Sequence, residues 1–540
     1  MTEIEDPTLP SARRDSVDEV LNRYPPEVRK DTLDRAHRRV IYGKDAPDLP
    51  GKIEEDKSPM FIEWKIDPIQ HALVFQKEEE SRQDLKSKTC VNFSLSDDGN
   101  ARRLMHRYGR DLRYCFQTEA WYVWDGQRWK RDEIGLIREI AKDAMVRVSY
   151  EVENLDIDAR GEYLKFAAKC LNKSRIENAI SLAQSINAVV VDDLDKDGYL
   201  LNVKNGTLNL KTWEFSTHHQ ADLITKCAGV DYIPSADCPV WKAHLSKIFG
   251  GDAKFIDELQ EIFGYCLMAG NPEEIILIAH GSGSNGKSKT KETLAFIMGD
   301  YSVNLDAQSL MVQKYNNGPR SDIARLRGAR LITANESEAG SRLAESKIKE
   351  LTGADRVTAR ALYEAEQEFT MTGKIMLCTN HKPRVFGQDP AIWRRLWLLP
   401  FEVTIPKEER DYHLQEKLQE EGSGILNWLL VGFKKYYIRG RLPDSERINA
   451  ASRAYKADSD VLGEFLMDFE ITGKDSDHIP RSDLYNAYKL TVDPSERPIP
   501  KSKFAMMIQE RIGRAPVHDR EKGWCWVGIR RKNDGQQNIL

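Results

Sequence analysis

The sequence predicts an α/β fold whose core is a doubly wound parallel sheet. Three apolar segments of strand length, Ile275–Ala279, Leu331–Ala334 and Lys374–Thr379, each run into a polar or glycine-rich stretch. Strands that are buried on both faces of a parallel sheet consist of such near-continuous apolar runs. A helix is predicted over Ser288–Met298, shortly after the first of them. A strand, a connection and a helix in this order form one unit of an α/β sheet.

The connection between that first strand and helix carries the most specific motif of the chain. Gly281, Gly286, Lys287 and Ser288 fit the phosphate-binding pattern G-x-x-x-x-G-K-[ST]. This pattern turns backbone N–H groups inward around phosphate oxygens, brings the lysine to the β- and γ-phosphates and leaves the hydroxyl for Mg²⁺. The sequence therefore predicts a site for ATP and Mg²⁺. The predicted nucleotide contacts are Gly281, Ser282, Gly283, Ser284, Asn285, Gly286, Lys287, Ser288 and Lys289.

The composition limits the classes of protein to which this chain can belong. At 540 residues the chain is too long for one ordinary domain, and its 40% hydrophobic residues suffice for buried cores. No apolar run approaches the roughly 18 residues of a membrane span, and Met1–Pro10 does not have the pattern of a signal peptide. The eight cysteines include no C-x-x-C pair, which argues against a zinc ribbon. The net charge of −5 confines nucleic-acid contacts to local patches. We therefore expect a cytoplasmic protein that has no contact with membranes.

Changes in composition along the chain predict five regions. The first combines prolines with many charges, so we expect a weakly structured extension in which Val17–Arg23 and Pro26–Val40 are candidate short helices. The predicted regions are 1–95, an extension or linker; 96–245, an α/β domain; 246–405, the core; 406–460, a helical connector; and 461–540, a small separate module.

Two β-hairpins and a long helical stretch are predicted before the core. Trp121–Trp129 places an Asp-Gly turn between aromatic strands, and Asn205–Leu208 begins with Asn-Gly. Helical periodicity extends from Ile134 to about Ile186. Tryptophans spaced in this way are more often core residues than base-stacking platforms, so we expect them to be buried.

Polar side chains near the later strands complete a site for phosphoryl chemistry. Glu336 follows the second apolar strand and is a candidate to activate the attacking water, although a solvent-facing carboxylate is the alternative. Asn380 follows the third strand and is a candidate to position that water, although asparagine also begins turns. Arg394 and Arg395 precede a further apolar strand and are candidates to stabilise charge on a γ-phosphate, or else to pair with surface carboxylates.

In order and spacing these motifs resemble the superfamily 3 helicases, in the branch of the poxvirus-type and satellite-phage primase-helicases. The similarity extends over roughly residues 100 to 530. The segments that carry it are the phosphate loop, Arg327–Ile332 with Glu336, Ile348–Asp355, Thr358–Arg360, Thr379–Pro383 and Ile392–Arg395 in the core, and Asp111–Tyr114, Trp121–Trp129 and Asn205–Leu208 upstream.

The resemblance implies an AAA+ P-loop ATPase core that works as a hexameric ring, with ATP bound between subunits. The residues it implicates in catalysis are Lys287, Glu336, Asn380, Arg394 and Arg395. Glu336 corresponds to the acidic residue of the second family motif and Asn380 to the sensor of the third. Arg394 takes the place of the arginine finger, with Arg395 as the alternative. Ser288 and Glu336 are the implied ligands of Mg²⁺.

The same resemblance implies a DNA-facing hairpin within Lys347–Arg360. Its positive charge suits the phosphates of single-stranded DNA in a central channel. The cations concerned are Lys347, Lys349, Arg356 and Arg360. From the residues alone, a solvated helix face with i,i+3 pairs is the alternative.

The chain departs from the family pattern at two places. Asn335 stands where many P-loop enzymes place an aspartate for metal contact, so we expect Mg²⁺ to rest on Ser288, water and phosphates. About 95 linker-like residues stand where larger relatives carry a primase. We therefore expect no priming activity from this chain, and a separate primase or polymerase is a candidate partner.

The C-terminal region predicts a small basic module. Helices are expected over Val461–Phe469, Ser482–Lys489 and Lys501–Arg511, followed by a strand over Trp524–Ile529. Residues 501–540 contain nine Lys and Arg against four acidic residues. Three helices and a basic hairpin resemble a winged helix, which can dock on DNA. A protein-docking domain with a solvated basic edge is the alternative.

Together these features predict an ATP-dependent DNA helicase of a phage or mobile element, which moves along single-stranded or forked DNA as a homo-hexameric ring. The main alternative is an ATP-regulated, DNA-binding replication initiator without processive unwinding. A third class is an AAA+ remodeller that acts on protein. Strand displacement separates the first two, and DNA-stimulated ATP hydrolysis disfavours the third.

Overall fold

The computed structural model describes residues 92–313, 321–335, 341–360, 367–387, 389–492 and 498–532. These residues form two units that alternate along the chain. The first contains residues 92–110 and 135–186, and the second contains residues 111–134 and the described residues from 187 onward. The candidate helices Val17–Arg23 and Pro26–Val40 lie outside the described residues. The region boundaries at 95, 245, 405 and 460 stay predictions.

The first unit consists of helices, which confirms the helical stretch predicted from Ile134 to Ile186. Its helices are α1 Asp97–Tyr108, α2 Leu136–Arg147, α3 Ile157–Cys170 and α4 Lys173–Ala183. Helix α1 begins after Ser96, whose hydroxyl accepts a hydrogen bond from the N–H of Gly99 at 3.1 Å. Inside the unit Arg103 is fully buried, and Glu151 lies 3.0 Å away as its counter-charge. Such a buried cation needs a close partner, because burial removes its hydration.

Both predicted hairpins are present in the second unit, within two antiparallel sheets of three strands. The strands are β1 Leu112–Cys115, β2 Ala120–Trp124, β3 Trp129–Arg131, β4 Leu200–Val203, β5 Gly206–Asn209 and β6 Glu214–Ser216. Trp124 pairs with Trp129 across the first turn, and Val203 pairs with Gly206 across the second. Trp121 and Trp129 are buried, which confirms the expectation that these tryptophans belong to the core.

The central part of the second unit contains five parallel strands and the helices that cover them. In chain order its elements are α5 Pro239–Ile248, α6 Ala253–Tyr265, β7 Ile276–His280, α7 Lys287–Met298, β8 Ser302–Asp306, α8 Ser321–Ala324, β9 Leu331–Asn335, α9 Glu345–Thr352, β10 Arg356–Ala359, β11 Gln367–Thr370, β12 Lys374–Thr379, α10 Pro390–Trp393, β13 Leu396–Pro400, α11 Leu414–Glu420, α12 Gly422–Arg439 and α13 Glu446–Asp458. No helix in the described part of the chain is long and apolar enough to cross a membrane.

The five strands have the order β13-β7-β12-β9-β8, and every neighbouring pair is parallel. Alternate residues of β7 enter different cores, because successive side chains of a strand point to opposite faces. Leu277 and Ala279 pack with residues of α5, α6 and α12. Ile276 and Ile278 pack with residues of α8, α9 and α10. The sheet is thus buried on both faces, and the predicted α/β core with a parallel sheet is confirmed.

The chain ends in a smaller group of elements with its own hydrophobic core. They are α14 Val461–Leu466, β14 Phe469–Ile471, β15 His478–Pro480, α15 Arg481–Thr491, α16 Lys501–Ile512, β16 Val517–Asp519, β17 Gly523–Val527 and β18 Ile529–Arg531. The three predicted helices are present, but the first ends at Leu466. The predicted strand Trp524–Ile529 is wrong as one strand: Gly528 has a φ of 87°, and this left-handed residue divides the strand. Strand β17 joins the sheet β15-β17-β16, and β18 pairs with β14.

Two helices of the core, α6 and α12, approach each other closely at glycines. A β-carbon built on Gly432 would lie 1.9 Å from the carbonyl oxygen of Gln260, and one on Gly264 would lie 2.3 Å from the backbone nitrogen of Phe433. Both obstacles are backbone atoms of the facing helix, which cannot move aside as a flexible side chain does. Glycine at these positions therefore sets the distance between the two helices.

We predict that Gly432→Ala destabilises the second unit, because the added methyl group forces α6 and α12 apart. Overpacking of this kind costs about 1–3 kcal/mol. Gly161→Ala in α3 is the matched control, since a β-carbon there meets no atom within 4 Å; it should leave stability equal or raise it by up to about 1 kcal/mol. Thermal unfolding of the two variants and the parent checks this, and equal midpoints for Gly432→Ala and the parent would contradict it.

Candidate active site

The glycine-rich loop connects β7, at the centre of the sheet, with the beginning of α7. Gly283, Ser284 and Gly286 have φ angles of 103°, 50° and 82°, so the backbone of the loop turns repeatedly through the left-handed region. Successive N–H groups in such a conformation form a concave surface that binds anions. Helix α7 begins at Lys287, where the positive end of the helix dipole adds to that preference. The loop thus has the shape and polarity of a phosphate cradle.

One residue of the loop fastens it to the neighbouring strand. The buried side chain of Asn285 donates a hydrogen bond to the carbonyl of Phe401, at 3.1 Å, just beyond the end of β13. A β-carbon on Gly281 would lie 2.1 Å from the amide nitrogen of Asn285 and 2.2 Å from that carbonyl oxygen. Glycine at 281 is therefore required for this contact. The side chain of Asn285 thus holds the loop in place, and its role as a nucleotide contact stays a prediction.

Lys287 and Asn380 are two predicted catalytic residues that the fold brings together. The Lys287 ammonium is buried and donates hydrogen bonds to the carbonyl of Gly281 at 2.5 Å and to the side-chain oxygen of Asn380 at 3.0 Å. Asn380 directly follows β12, which lies beside β7 in the sheet. The cation is therefore held between the phosphate loop and the end of the next strand, where a triphosphate needs it.

The end of β9 supplies the third side of the site. Asn335 is its last residue, and its side-chain oxygen accepts a hydrogen bond of 2.6 Å from the ammonium of Lys291 on α7. Glu336 lies outside the described residues, so its role as water activator and metal ligand stays a prediction.

Ser282, Ser284 and Ser288 are exposed along the loop and α7. Lys289 forms an ion pair with Glu292 on the same helix, at 3.4 Å.

The two candidate arginines differ in their surroundings. Both contact the carboxylate of Glu274, Arg394 at 2.8 Å and Arg395 at 2.6 Å. The side chain of Arg395 is only 9% exposed and also donates hydrogen bonds to Thr352 and to the carbonyl of Ala391. The side chain of Arg394 is 64% exposed. Arg395 is therefore held within its own subunit, whereas Arg394 projects toward solvent.

The two arginines lie at the amino ends of the parallel strands, whereas the phosphate loop lies at their carboxyl ends. Leu396, directly after them, pairs with Ile276 at the beginning of β7, whereas Pro400 pairs with His280, at the edge where the loop begins. Four residues of parallel strand separate the two levels, which corresponds to about 13 Å. An arginine side chain cannot span this distance and also reach around the loop within one subunit.

The cations predicted to face DNA are distributed over two different elements. Lys347 and Lys349 lie on helix α9, and Lys349 forms an ion pair with Asp389. Arg356 begins β10, and Arg360 directly follows that strand; both are exposed. The hairpin expected within Lys347–Arg360 therefore begins only at Arg356, because the first half of the segment is helical and packs Ile348 and Leu351 into the core.

The hairpin itself is formed by β10 and β11. These strands are antiparallel, with Val357 opposite Phe369 and both side chains buried. Its second strand lies beyond the predicted segment and was not recognised in the sequence. The alternating pattern of Gln367–Thr370 is too short to separate a strand from a loop without its partner. Arg356, which is opposite Thr370, forms a diagonal ion pair with Glu368 at 3.9 Å.

His244 lies behind the phosphate loop and was not recognised in the sequence. His244 of α5 is buried, and its Nε2 lies 3.2 Å from the hydroxyl of Thr290 on α7. A β-carbon on Gly286 would lie 3.0 Å from the imidazole. Burial lowers the pKa of His244 to about 4. A single histidine in an apolar helix gives no sign in the sequence that it supports a loop more than 40 positions away.

Two segments of the chain match described protein families. Residues 101–250 match the family described as "D5 N terminal like". Residues 279–395 match a family of unknown function (DUF5906). The second match extends from the end of β7 through both candidate arginines, so it includes the glycine-rich loop, Lys287 and Asn380 but not His244 or Phe401.

The chain is also similar to viral proteins that bear helicase or primase names. It is 27% identical to the "Putative helicase" of Acanthamoeba polyphaga mimivirus over 65% of this chain and 40% of that protein. It is 25% identical to the "Putative helicase" of Invertebrate iridescent virus 3 over 62% of this chain and 40% of that protein. It is 23% identical to the "Putative primase" of African swine fever virus over 51% of this chain and 31% of that protein. The chain thus spans less than half the length of these relatives.

Among solved structures, the apo C-terminal region of NrS-1 is similar over 78% of this chain and 96% of that chain, with 12% identity and a TM-score of 0.45. This likeness is too distant to carry an argument. By the domain it contains and the relatives it matches, the chain fits the D5-type helicase family. The resemblance inferred from the motifs is thereby confirmed. The expectation that the chain lacks priming activity stays a prediction.

We predict that His244 makes the stability of the core depend on pH in the acidic range. The pKa is about 4 in the folded protein and about 6.5 in an unfolded chain. As the pH falls through this interval, the unfolded state binds a proton that the folded state does not, so the free energy of unfolding decreases. At pH 5 the loss amounts to about 2 kcal/mol relative to neutral pH.

Thermal unfolding between pH 5 and neutral pH provides the measurement. His244→Gln should show a smaller decrease of the unfolding midpoint than the parent on acidification. His413→Gln is the control, because His413 is exposed. A decrease of the same size in all three proteins would show that His244 is not the group responsible.

Proposed function

We propose that this chain is an ATP-driven DNA helicase of the D5 type, which acts as a ring in the replication of a viral or mobile-element genome. The observation that carries the proposal is the position of Lys287, between the carbonyl of Gly281 and the amide of Asn380. A cation at this place, at the carboxyl ends of parallel strands and beside a helix N-terminus, suits the β- and γ-phosphates of ATP. The viral helicase names of the relatives supply the substrate class.

The residues present fit ATP and Mg²⁺. The backbone around Gly281 leaves no room for a β-carbon, and the exposed hydroxyl of Ser288 stands at the beginning of α7. In the proposed mechanism the loop amides and Lys287 would bind the phosphates, Ser288 would hold the metal ion, and Asn380 would orient the attacking water. When bound, Mg²⁺ neutralises charge that develops on the phosphate oxygens. Because Asn335 already accepts a hydrogen bond from Lys291, it is a poor candidate for the metal.

Arg394 is our candidate for the arginine finger, and it would act on the nucleotide of a neighbouring subunit. The supporting observations are its exposure and its position at the edge of the sheet far from its own phosphate loop. An arginine that stabilises the γ-phosphate from outside contributes to catalysis only after assembly. Because this contact joins two different surfaces, it leads to a closed ring of identical subunits, which we propose to be a hexamer.

The C-terminal elements are our candidate for a second DNA contact. Apart from the added strand pair β14-β18, the order α14-β15-α15-α16-β16-β17 and the sheet order β15-β17-β16 are those expected of a winged helix. Trp524, 54% exposed on β17, packs edge to face against His518 of β16. The exposed cations Arg520 and Lys522 lie between these strands. A basic hairpin with an exposed aromatic ring suits DNA better than a purely structural edge.

We predict that Lys287→Ala lowers ATP hydrolysis at least about 100-fold, because the phosphates lose their fixed cation. Lys254→Ala, with an exposed side chain on α6, is the control and should hydrolyse ATP like the parent. The parent should hydrolyse ATP faster when single-stranded DNA is added, and it should separate a forked duplex. Rates of phosphate release and strand displacement are the measurements.

Each result separates the candidate functions. Stimulated hydrolysis without strand displacement would favour the replication initiator over the helicase. A rate of ATP hydrolysis that does not change when single-stranded DNA is added would favour a remodeller acting on protein. Parent-like hydrolysis in Lys287→Ala would contradict the assignment of the active site itself.

We predict that Arg394→Ala subunits are inactive alone but recover part of their hydrolysis when mixed with Lys287→Ala subunits. In mixed rings some interfaces combine an intact phosphate loop from one subunit with an intact Arg394 from the next. Mixing Lys287→Ala with Arg395→Ala provides the comparison, since Arg395 is buried within its own subunit. Phosphate release at known mixing ratios measures the effect, with native mass spectrometry to establish ring composition. Parent-like activity of Arg394→Ala alone would rule this residue out.

A further inference from the structure

A cavity of about 780 Å³ lies between the core and the last long helix, α16. It is bounded on the core side by residues near the beginning of α9 and by the segment after β12, and on the other side by α14 and α16. None of the residues that line it belongs to the phosphate loop or to the hairpin β10-β11. It is therefore separate from the phosphate loop and from that hairpin, although Lys347 and Lys349 of the predicted DNA-facing segment also line it.

Two cations meet at one aromatic ring in this cavity. The guanidinium carbon of Arg342 lies 4.6 Å from the centre of the Phe386 ring, and the ammonium of Lys503 lies 4.9 Å from it. Nε of Arg342 is buried and has no hydrogen-bond partner among the described residues. Burial and the charge of Arg342 lower the pKa of Lys503. Two like charges with an unsatisfied buried donor form an arrangement that an anion would stabilise.

Three carboxylates near the cavity have partners of their own, whereas the exposed Glu510 also lines it. Glu345 accepts hydrogen bonds from the backbone N–H groups of Phe386 and Gly387, at 3.2 and 2.9 Å. Asp389 forms an ion pair with Lys349. Arg511, on the opposite wall, pairs with Asp460. Glu345 therefore stabilises the segment that carries Phe386, while the positive charge of Arg342 and Lys503 remains only partly compensated.

Part of the remaining wall of the cavity is apolar, beside polar residues such as Gln313, Ser346 and Glu510. Val312, Leu462, Met506 and Met507 line it, and the side chains of Val312 and Met506 are about half exposed. A pocket with a cationic end and an apolar wall suits a ligand that has both a phosphate and a flat ring system. Methionine adapts readily to such rings. The volume is sufficient for one nucleotide.

We propose that this cavity binds a phosphate-bearing nucleotide, with the phosphate at Arg342 and Lys503 and the base against the methionine wall. The ligand is either a free nucleotide or one unit of a single-stranded nucleic acid. The site goes beyond the proposed ATP hydrolysis and does not depend on it. Since α16 forms one wall, an occupant would also bind the C-terminal elements to the core.

Photo-crosslinking in a Lys287→Ala background tests the proposal, because this background disables the candidate ATP site. The probes are 4-thiothymidine monophosphate and a short single-stranded oligonucleotide of 4-thiothymidine, and the labelled peptides are identified by mass spectrometry. We expect labelling of peptides that contain Phe386 or Met506. Arg342→Gln and Lys503→Met should each reduce that labelling about tenfold, the loss expected for one charge-assisted hydrogen bond.

Lys489→Met is the matched control, since Lys489 also lies over an aromatic ring, Tyr485 at 5.5 Å, but does not line the cavity. Labelling by the monophosphate would identify a free nucleotide as a ligand, and labelling by the oligonucleotide alone would identify nucleic acid; either result supports the site. The proposal is overturned if both probes label only other regions, or if Arg342→Gln and Lys503→Met are labelled like Lys489→Met. Circular dichroism shows whether each variant is folded. If Arg342→Gln does not fold, the labelling of Lys503→Met alone decides whether the proposal stands.

Discussion

The candidate active site depends on the parallel register of the central strands. His280 at the end of β7 lies level with Thr379 of β12 and with Pro400 of β13, so three strands end together at one edge of the sheet. The residues that follow these ends therefore meet, although Lys287 and Asn380 are 93 positions apart in sequence. A shift of β12 by two residues would displace Asn380 by about 7 Å and remove its hydrogen bond to Lys287.

Two buried cations stabilise this register at the other edge of the sheet. The ammonium of Lys374, the first residue of β12, donates hydrogen bonds to the carbonyls of Met268 and Gly270. Arg330, just before β9, donates one to the carbonyl of Leu267 at 2.5 Å. These carbonyls follow the C-terminal end of α6, where the helix dipole favours positive charge. Burial still lowers the pKa of Lys374 to about 7, which shows how strongly these charges are removed from water.

The sheet also separates the parts that the proposed reaction requires. The phosphate cradle and Lys287 lie at its carboxyl edge, and Arg394 lies exposed at its amino edge. Arg394 therefore does not reach the phosphate loop of its own chain, which is why we propose that it acts on a second copy. Assembly would then complete each site, and hydrolysis would respond to the contact between neighbouring subunits.

Local patterns were sufficient to predict the parts of the fold that depend on neighbouring residues. Four strands of the parallel sheet, the helix after the phosphate loop and both upstream hairpins follow from apolar periodicity and from turn residues such as Asn205-Gly206. Strand β8, in which only Leu305 is buried, was not recognised. The phosphate loop was recognisable because its function depends on backbone conformation, which a fixed spacing of glycines determines. The hairpin β10-β11 was placed too early, because α9 and β10 are both short and only packing distinguishes them.

The sequence by itself thus determined the fold class, the resemblance to D5-type helicases and the glycine-rich loop, since each of these is encoded in contiguous residues. Only the tertiary structure decided which way individual side chains point. It turned Asn285 toward Phe401, placed His244 behind the loop, and distinguished the exposed Arg394 from the buried Arg395. These outcomes depend on contacts between residues far apart in the chain, and no local pattern contains that information.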